Sequence, residues 1–507
     1  MTSTPNQIPD HVDVLIVGAG ISGIDAACRV QSRCPDRSFL VLEAREALGG
    51  TWDMFRYPGV RSDSDIFTLS FPFRPWTGTD SMVDGPEILN YIRRTVAHFG
   101  VDRHIRTGVK VVAADWCPTT SRWTVTVKRS GAGRATSRET LTCGFLYACT
   151  GYYDYAAGHS PDFPGADDFT GTVVHPQAWP EDLDYAGKRV VVIGSGATAV
   201  TLVPALSRDA AQVTMLQRTP SWISARPRHD PFADRIRRRL PPGLAHWVIR
   251  TRNAARSNHL YWYCRRYPER ARAAFLAGTT RAVGADMTRD HFTPPYAPWD
   301  QRVCVAADGD LFTAIRDGTA EIVTDHIERF VPDGIRLTSG TTLPADVVVT
   351  ATGLQMLSLG RIALSVDGEP VDPARRMLWR GTMLNGVPNF ALCIGYVSLS
   401  WTMRADLTAR LVCRILNYMR RRNLSAVTVD PPKRGVAEKP LMDLASGYIQ
   451  RSIRSFPRLG DRSPWMMRQV YLLDAAGVAF TRLGRHLRGA PRKVPATPRT
   501  PVRSDAA

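Results

Sequence analysis

Val12-Asp-Val-Leu-Ile-Val17-Gly18-Ala-Gly20-Ile-Ser22-Gly23 is the stretch that decides the fold. A short apolar run that ends at a glycine is the pattern of a buried parallel strand, and Ile24 to Ser32 continues as a helix. Gly18 permits the tight turn, Gly20 lets the backbone approach a pyrophosphate, and Gly23 lets helix pack on strand. A pyrophosphate placed there meets free N–H groups and the positive end of the helix dipole. The next strand, Ser38-Phe-Leu-Val-Leu42, ends at Glu43, 20 residues past Gly23, where a carboxylate can grip a ribose diol. The arrangement recurs further along. Lys188 to Ile193 is a strand, Gly194-Ser195-Gly196-Ala197-Thr198-Ala199 opens a helix, and Val213 to Gln217 is the following strand. Its end carries Arg218-Thr219 instead of an acid. Arginine can pair bidentately with a 2′-phosphate that an acid would repel, so the second nucleotide is NADPH rather than NADH. The fold class is α/β, with two dinucleotide-binding, Rossmann-like domains and a helical insertion.

Between the two loops lies Phe169-Thr-Gly171-Thr-Val-Val-His175-Pro176-Gln-Ala-Trp179-Pro180. With Phe-x-Gly, a His four residues after the Gly and Trp-Pro four residues after the His, it resembles the fingerprint of Baeyer–Villiger monooxygenases, flavoproteins that insert oxygen beside a carbonyl. Pro176 stands where that family has Thr. Leu48-Gly-Gly-Thr51-Trp52-Asp53-Met54 and its continuation through Asp63 and Asp65 resemble the second flavin-contact segment of the same enzymes. That segment has no cysteine, which excludes thiol–disulfide chemistry there. His291 to Cys304, rich in proline, resembles the loop that carries the family's catalytic arginine, and Arg302 is the matching position. Gln301 replaces a frequent Lys. The closest likeness is to the actinobacterial subgroup that activates thioamide prodrugs.

The resemblance implies FAD in the first nucleotide site and NADPH in the second. NADPH would reduce FAD, and the reduced flavin would capture oxygen as a flavin peroxide that attacks ketones, sulfides or thioamides. It also implies that Arg302 stabilises negative charge, that Asp63, an acid beside the flavin, positions or modulates that arginine, and that Val111 offers its backbone to the adenine of FAD. His175 reads as a domain-linking residue rather than a proton donor, and Asp65 reads equally as a loop charge. Trp401, Thr402 and Met403 are expected near the substrate. A flavin monooxygenase acting only on nitrogen or sulfur, and an NADPH oxidase without an organic substrate, remain alternatives.

Length and composition fit this outline. A chain of 507 residues calls for more than one core. We expect a first FAD-binding portion over 1–155, the NADP-binding domain over 156–350 with its insertion at about 230–285, a second FAD-binding portion over 351–485 and a disordered basic tail over 486–507. Nine scattered cysteines without zinc spacing read as reduced thiols, and no metal site is expected. The N-terminus lacks a signal-peptide pattern and no run of 18 apolar residues appears, so a cytoplasmic protein is expected. The net charge is +18, and Asp230 to Arg272 is arginine-rich, with Trp247, Trp262 and several tyrosines interleaved. This stretch reads as a solvated basic face or as a peripheral contact with an anionic membrane at the inner face of the cell. No nucleic-acid recognition motif accompanies it.

Overall fold

The computed structural model describes residues 7–129 and 137–492. The strand His11–Val17 shows why both faces of the first sheet are buried. Val14 and Ile16 enter one core, while Leu15 and Val17 enter another. Side chains two residues apart share a face, so an unbroken apolar run can feed both layers. This strand pairs in parallel with Phe39–Leu42 on one side and Ser137–Ala148 on the other. Antiparallel Arg122–Arg129 and Val109–Cys117 extend the sheet, which has nine strands in all among the described residues. The expected hairpin tip at Gly131 lies outside the described residues.

The first sheet is finished by a distant part of the chain. Phe390–Leu392 pairs in parallel with Ser137–Ala148, and Ala363–Val366 pairs with Val109–Cys117. The long helix Trp401–Arg421 then packs on the helix Ile21–Arg33, where Arg29 and Asp406 form an ion pair at 2.5 Å.

Between those parts stands a second sheet of five parallel strands. Arg189–Ile193 sits between Gln212–Gln217 and Val347–Thr350, with Ala320–Thr324 and Thr172–Val174 at the edges. Two connecting segments, Tyr153–Gly158 and Leu354–Met356, pair antiparallel, so the chain leaves and re-enters the first sheet side by side.

Four helices, Pro231–Arg239, Pro242–Arg266, Pro268–Val283 and Ala285–His291, interrupt the second domain between the paired strands Ile223–Arg226 and Cys304–Ala307. Buried Arg250 docks them on the first domain, donating to the carbonyls of Phe67 at 3.0 Å and Ser70 at 2.7 Å. Asp65 serves this interface. It caps the helix Ile66–Leu69 through Thr68 N–H at 2.9 Å and accepts from Asn253 Nδ2 at 3.2 Å. No helix among the described residues is long and apolar enough to cross a membrane.

One expectation fails. Disorder from residue 486 onward does not hold for Leu487–Pro491, which forms a strand antiparallel to Leu424–Val429. Proline and arginine suggested a solvated tail, but the ladder needs only backbone groups, and Leu487 is buried. The rest of that segment, from residue 493, lies outside the described residues.

Candidate active site

The first glycine loop is shaped by contacts that leave no room for side chains. Gly18 has φ +103°, and a Cβ there would meet the Cys149 carbonyl oxygen at 2.6 Å. A Cβ on Gly23 would stand 1.8 Å from the Gly18 carbonyl oxygen. The helix Ile21–Arg33 begins at Gly20 with no side-chain cap, so its first N–H groups stay free for a ligand. These groups open into a cavity of about 560 Å³. Glu43 lies at its edge, buried, accepting from the N–H of Ala19 at 2.7 Å and of Arg45 at 2.9 Å. Burial raises its pKa, against the pull of those bonds. Each carboxylate oxygen keeps a lone pair for a hydroxyl donor.

Gly18, Gly20, Ser22, Thr51, Trp52 and Val111 line the same cavity. Asp53 and Met54 are not among its lining residues. The single turn Thr51–Met54 turns one face to the cavity, and Asp53 is buried on the other against Arg45 at 2.7 Å, with Arg56 and Arg93 further off.

Arg302 reaches the cavity from the opposite wall. The loop before it is tight, with Trp299 at φ +71°. Asp300 pins that loop by accepting from Ala297 N–H at 3.0 Å and from Arg265 at 2.9 Å. The residue lines the cavity and keeps a solvent-exposed side chain, although protein atoms crowd around its guanidinium. Burial works against its charge, but Tyr448, Tyr152, Tyr153 and Asp63 outweigh that and raise its pKa. Asp63 lines the cavity too. Burial pushes its pKa up from 3.8 to about 6, against the attraction of Arg302, Arg61 and Arg226. Asp63 and Arg302 form no ion pair within 4.0 Å, whereas Arg61 is committed to Asp310 at 2.5 Å.

The second loop meets this cavity at its rim through Ala197 and Thr198. Gly196 caps the helix Ala197–Leu206 without a side-chain bond, and fully buried Ala199 fills the third loop position. Ser195 Oγ donates to the Thr219 carbonyl at 2.9 Å, tying the loop to the end of the next strand. Arg218 is exposed there, with no hydrogen bond or ion pair. Gly194, Ser195, Gly196, Arg218 and Thr219 thus surround the second loop rather than the cavity itself.

The fingerprint residues also stand outside the cavity. Phe169 packs edge-on against Phe330, with centroids 5.9 Å apart. Gly171 lies where a Cβ would meet the Asp346 carbonyl oxygen at 2.5 Å, and Trp179 meets Tyr185 at 6.4 Å. His175 Nδ1 accepts from Gln177 N–H at 3.1 Å, so Nε2 carries the proton and donates to the Gly353 carbonyl at 3.2 Å. Burial lowers its pKa. Its ring lies against Gly158, so it touches both connecting segments. Pro176 starts the short turn Pro176–Ala178, a position where a missing N–H costs nothing, and Pro180 follows it at Trp179.

Comparison with known proteins identifies the architecture. The chain matches the flavin-binding monooxygenase-like family over residues 69–262 and an NAD(P)-binding Rossmann-like domain over residues 16–79. The FAD-containing monooxygenase EthA of Mycobacterium tuberculosis is 50% identical over 468 residues, covering 92% of this chain and 94% of that protein. The chain belongs to the FAD-containing monooxygenases. The probable FAD-binding monooxygenase AlmA of Acinetobacter baylyi is 43% identical over 474 residues, 93% of this chain and 94% of that one. A steroid monooxygenase bound to NADP shares the fold at a TM-score of 0.74 and 23% identity, over 95% of this chain and 100% of that chain.

FAD and NADPH are the cofactors of this monooxygenase. The residues present fit the flavin nucleotide. An uncapped helix start, a carboxylate with free lone pairs and a glycine turn closed by backbone contact are what its pyrophosphate and ribose require. Sequence reasoning missed Tyr152, Tyr153 and Tyr448. The first two follow directly on Thr150-Gly151, a strand exit into the site, and that position was the available signal. Tyr448 lies on the short helix Gly447–Gln450, and no local pattern marks it. Of the three residues expected near substrate, Trp401 lines the cavity and donates to Ser22 Oγ at 2.6 Å. Thr402 and Met403 turn into the core.

Proposed function

We propose that this enzyme inserts one oxygen atom of O2 beside the carbonyl of a ketone, giving an ester or lactone, and that it oxidises sulfides and thioamides at the same site. The observation that carries this reading is the Arg302 guanidinium, with no carboxylate within ion-pair distance, in the wall of a cavity shared by both glycine loops. Bound FAD, reduced by NADPH, supplies the activation of O2. The chain's own residues do the rest. Arg302 keeps its charge at any working pH and stabilises negative charge that builds on the substrate oxygen. Asp63 stands across from it as the positioning acid. When ionised it draws the guanidinium toward the cavity, and when protonated it releases it. Tyr152, Tyr153 and Trp401 exclude water, with Tyr152 and Tyr153 hydroxyls joined at 2.9 Å and Tyr152 stacked on Trp401 at 4.8 Å. Glu43 holds the ribose of FAD, and Arg218 the 2′-phosphate of NADPH. His175 couples movement between the domains, since its ring rests on both connecting segments.

The test uses purified holoenzyme under air with NADPH, a panel of ketones and an aryl methyl sulfide, with products identified by mass spectrometry. An ester or lactone one oxygen heavier than its ketone supports the proposal. Sulfoxide alone would favour a heteroatom monooxygenase, and hydrogen peroxide alone an oxidase. Arg302→Ala should keep flavin reduction by NADPH and lose roughly a hundredfold or more in ester formation. Retained ester formation would remove Arg302 from the mechanism.

A peripheral contact with anionic lipid is a further part of this reading. Leu244 and Trp247 are 48% and 63% exposed at the start of the helix Pro242–Arg266, just after the basic run Arg237-Arg238-Arg239. Cosedimentation with vesicles containing phosphatidylglycerol, lost in a Leu244→Ser/Trp247→Ser variant, would support it. Equal recovery with neutral vesicles would count against it.

A further inference from the structure

A second cleft, of about 880 Å³, lies between the strand Ile223–Arg226 and the inserted helices Pro242–Arg266 and Pro268–Val283. It meets the first cavity at Asp63, which lines both. Its lining is mixed: Met82, Leu260, Phe275 and Phe312 contribute apolar surface, and Arg226 and Arg256 contribute guanidinium groups.

The carboxylates of the cleft are largely engaged. Asp230 pairs with Arg252 at 2.9 Å and caps the helix Pro231–Arg239, and Asp65 is bonded to Thr68 and Asn253. Asp63 alone is free, and it already faces Arg302. The side chains of Arg226 and Arg256 make no hydrogen bond or ion pair. Burial lowers the pKa of Arg226 and neighbouring Arg256 lowers it further, while Asp65 and Asp63 only partly offset this. The Arg226 guanidinium, crowded by protein and without a side-chain partner, carries an electrostatic cost that a bound anion would relieve.

We propose that this cleft receives an acid: an apolar chain bearing a carboxylate that Arg226 and Arg256 grip, with the oxidisable group delivered past Asp63 toward Arg302. The inference rests on the monooxygenase reading of the site and names its substrate class. Arg226 and Arg256 act here as specificity residues and take no part in the oxygen transfer.

The experiment compares a medium-chain keto acid with its methyl ester and with the plain methyl ketone of similar length. The readouts are kcat/KM for the holoenzyme with NADPH, and Kd of the keto acid by calorimetry in the absence of NADPH. The wild type should favour acid over ester. Arg226→Gln should cut that acid-to-ester ratio by roughly tenfold to a hundredfold and weaken the Kd to match, as expected for a lost charge-assisted bond. Arg256→Gln, at the exposed rim, should act in the same direction and guards against misfolding of the first variant. A wild type indifferent to the carboxylate would overturn the proposal. So would a variant in which acid, ester and ketone fall together, since Arg226 would then act through Asp63. If the acid binds in an Arg226-dependent way while none of the three compounds is oxidised, the subsite stands and the oxygenation reading fails.

Discussion

Asp63→Asn should make the protein more stable at neutral pH while damaging it as an enzyme. Burial raises the pKa of Asp63 from 3.8 to about 6, despite three nearby arginines. Between about pH 4 and pH 6 the folded protein therefore holds this proton more tightly than the unfolded chain does. Stability falls as pH rises through that window, and the whole cost is present above it. At 1.36 kcal/mol per tenfold change in proton affinity, the cost is about 3 kcal/mol. Water reaches Asp63 through two cavities, which reduces the value to roughly 1–3 kcal/mol. Asparagine imitates the protonated acid and escapes the cost. The assay is the Tm of variant minus wild type, followed from about pH 4.5 to pH 8. The difference should grow by roughly 1–4 °C across that range and level off near pH 6.5. Ketone turnover of the wild type should fall below about pH 6, and the variant should have lost that limb. A Tm difference that stays flat with pH would refute the reasoning, because the titration would then belong to another group.

Gly23→Ala should give protein without bound flavin or no soluble protein, read from the visible absorbance of the purified product, since its Cβ would overlap the Gly18 carbonyl oxygen at 1.8 Å. Arg218→Ala should raise KM for NADPH by roughly tenfold or more and leave KM for NADH little changed, and an equal effect on both would dismiss the 2′-phosphate contact. His175→Ala removes two hydrogen bonds from the domain junction. It should cost about 1–2 kcal/mol of stability and raise the fraction of NADPH that ends as hydrogen peroxide, whereas full coupling would make His175 a packing residue only.

The parts of the site legible in the sequence were those that depend on local geometry. Gly18 and Gly23 could be read because the turn and the close helix–strand contact admit no side chain, and Glu43 because its distance from the loop is fixed by one strand. Asp53 and Met54 show the limit of such reading. A motif names a segment, but a single helical turn sends its residues to different sides. Tyr448 was hidden because it comes from a distant segment, on a short helix that no local pattern marks. The strand Leu487–Pro491 was hidden because its composition is that of a solvated tail, and only its partner Leu424–Val429 makes it regular.

The late arrival of Phe390–Leu392 has a cost during synthesis. Its partner edge, at Leu146–Ala148, leaves the ribosome about 240 residues earlier. At ordinary rates of translation that is a wait of roughly ten to fifty seconds. For that time a hydrophobic strand edge stands without its neighbour, open to pairing with any other nascent chain. The intervening domain, whose five strands all lie between residues 172 and 350, can be completed in the meantime. Yields from rapid overexpression should therefore improve when synthesis is slowed or chaperones that shield strand edges are supplied, even though the finished enzyme has no such edge to protect.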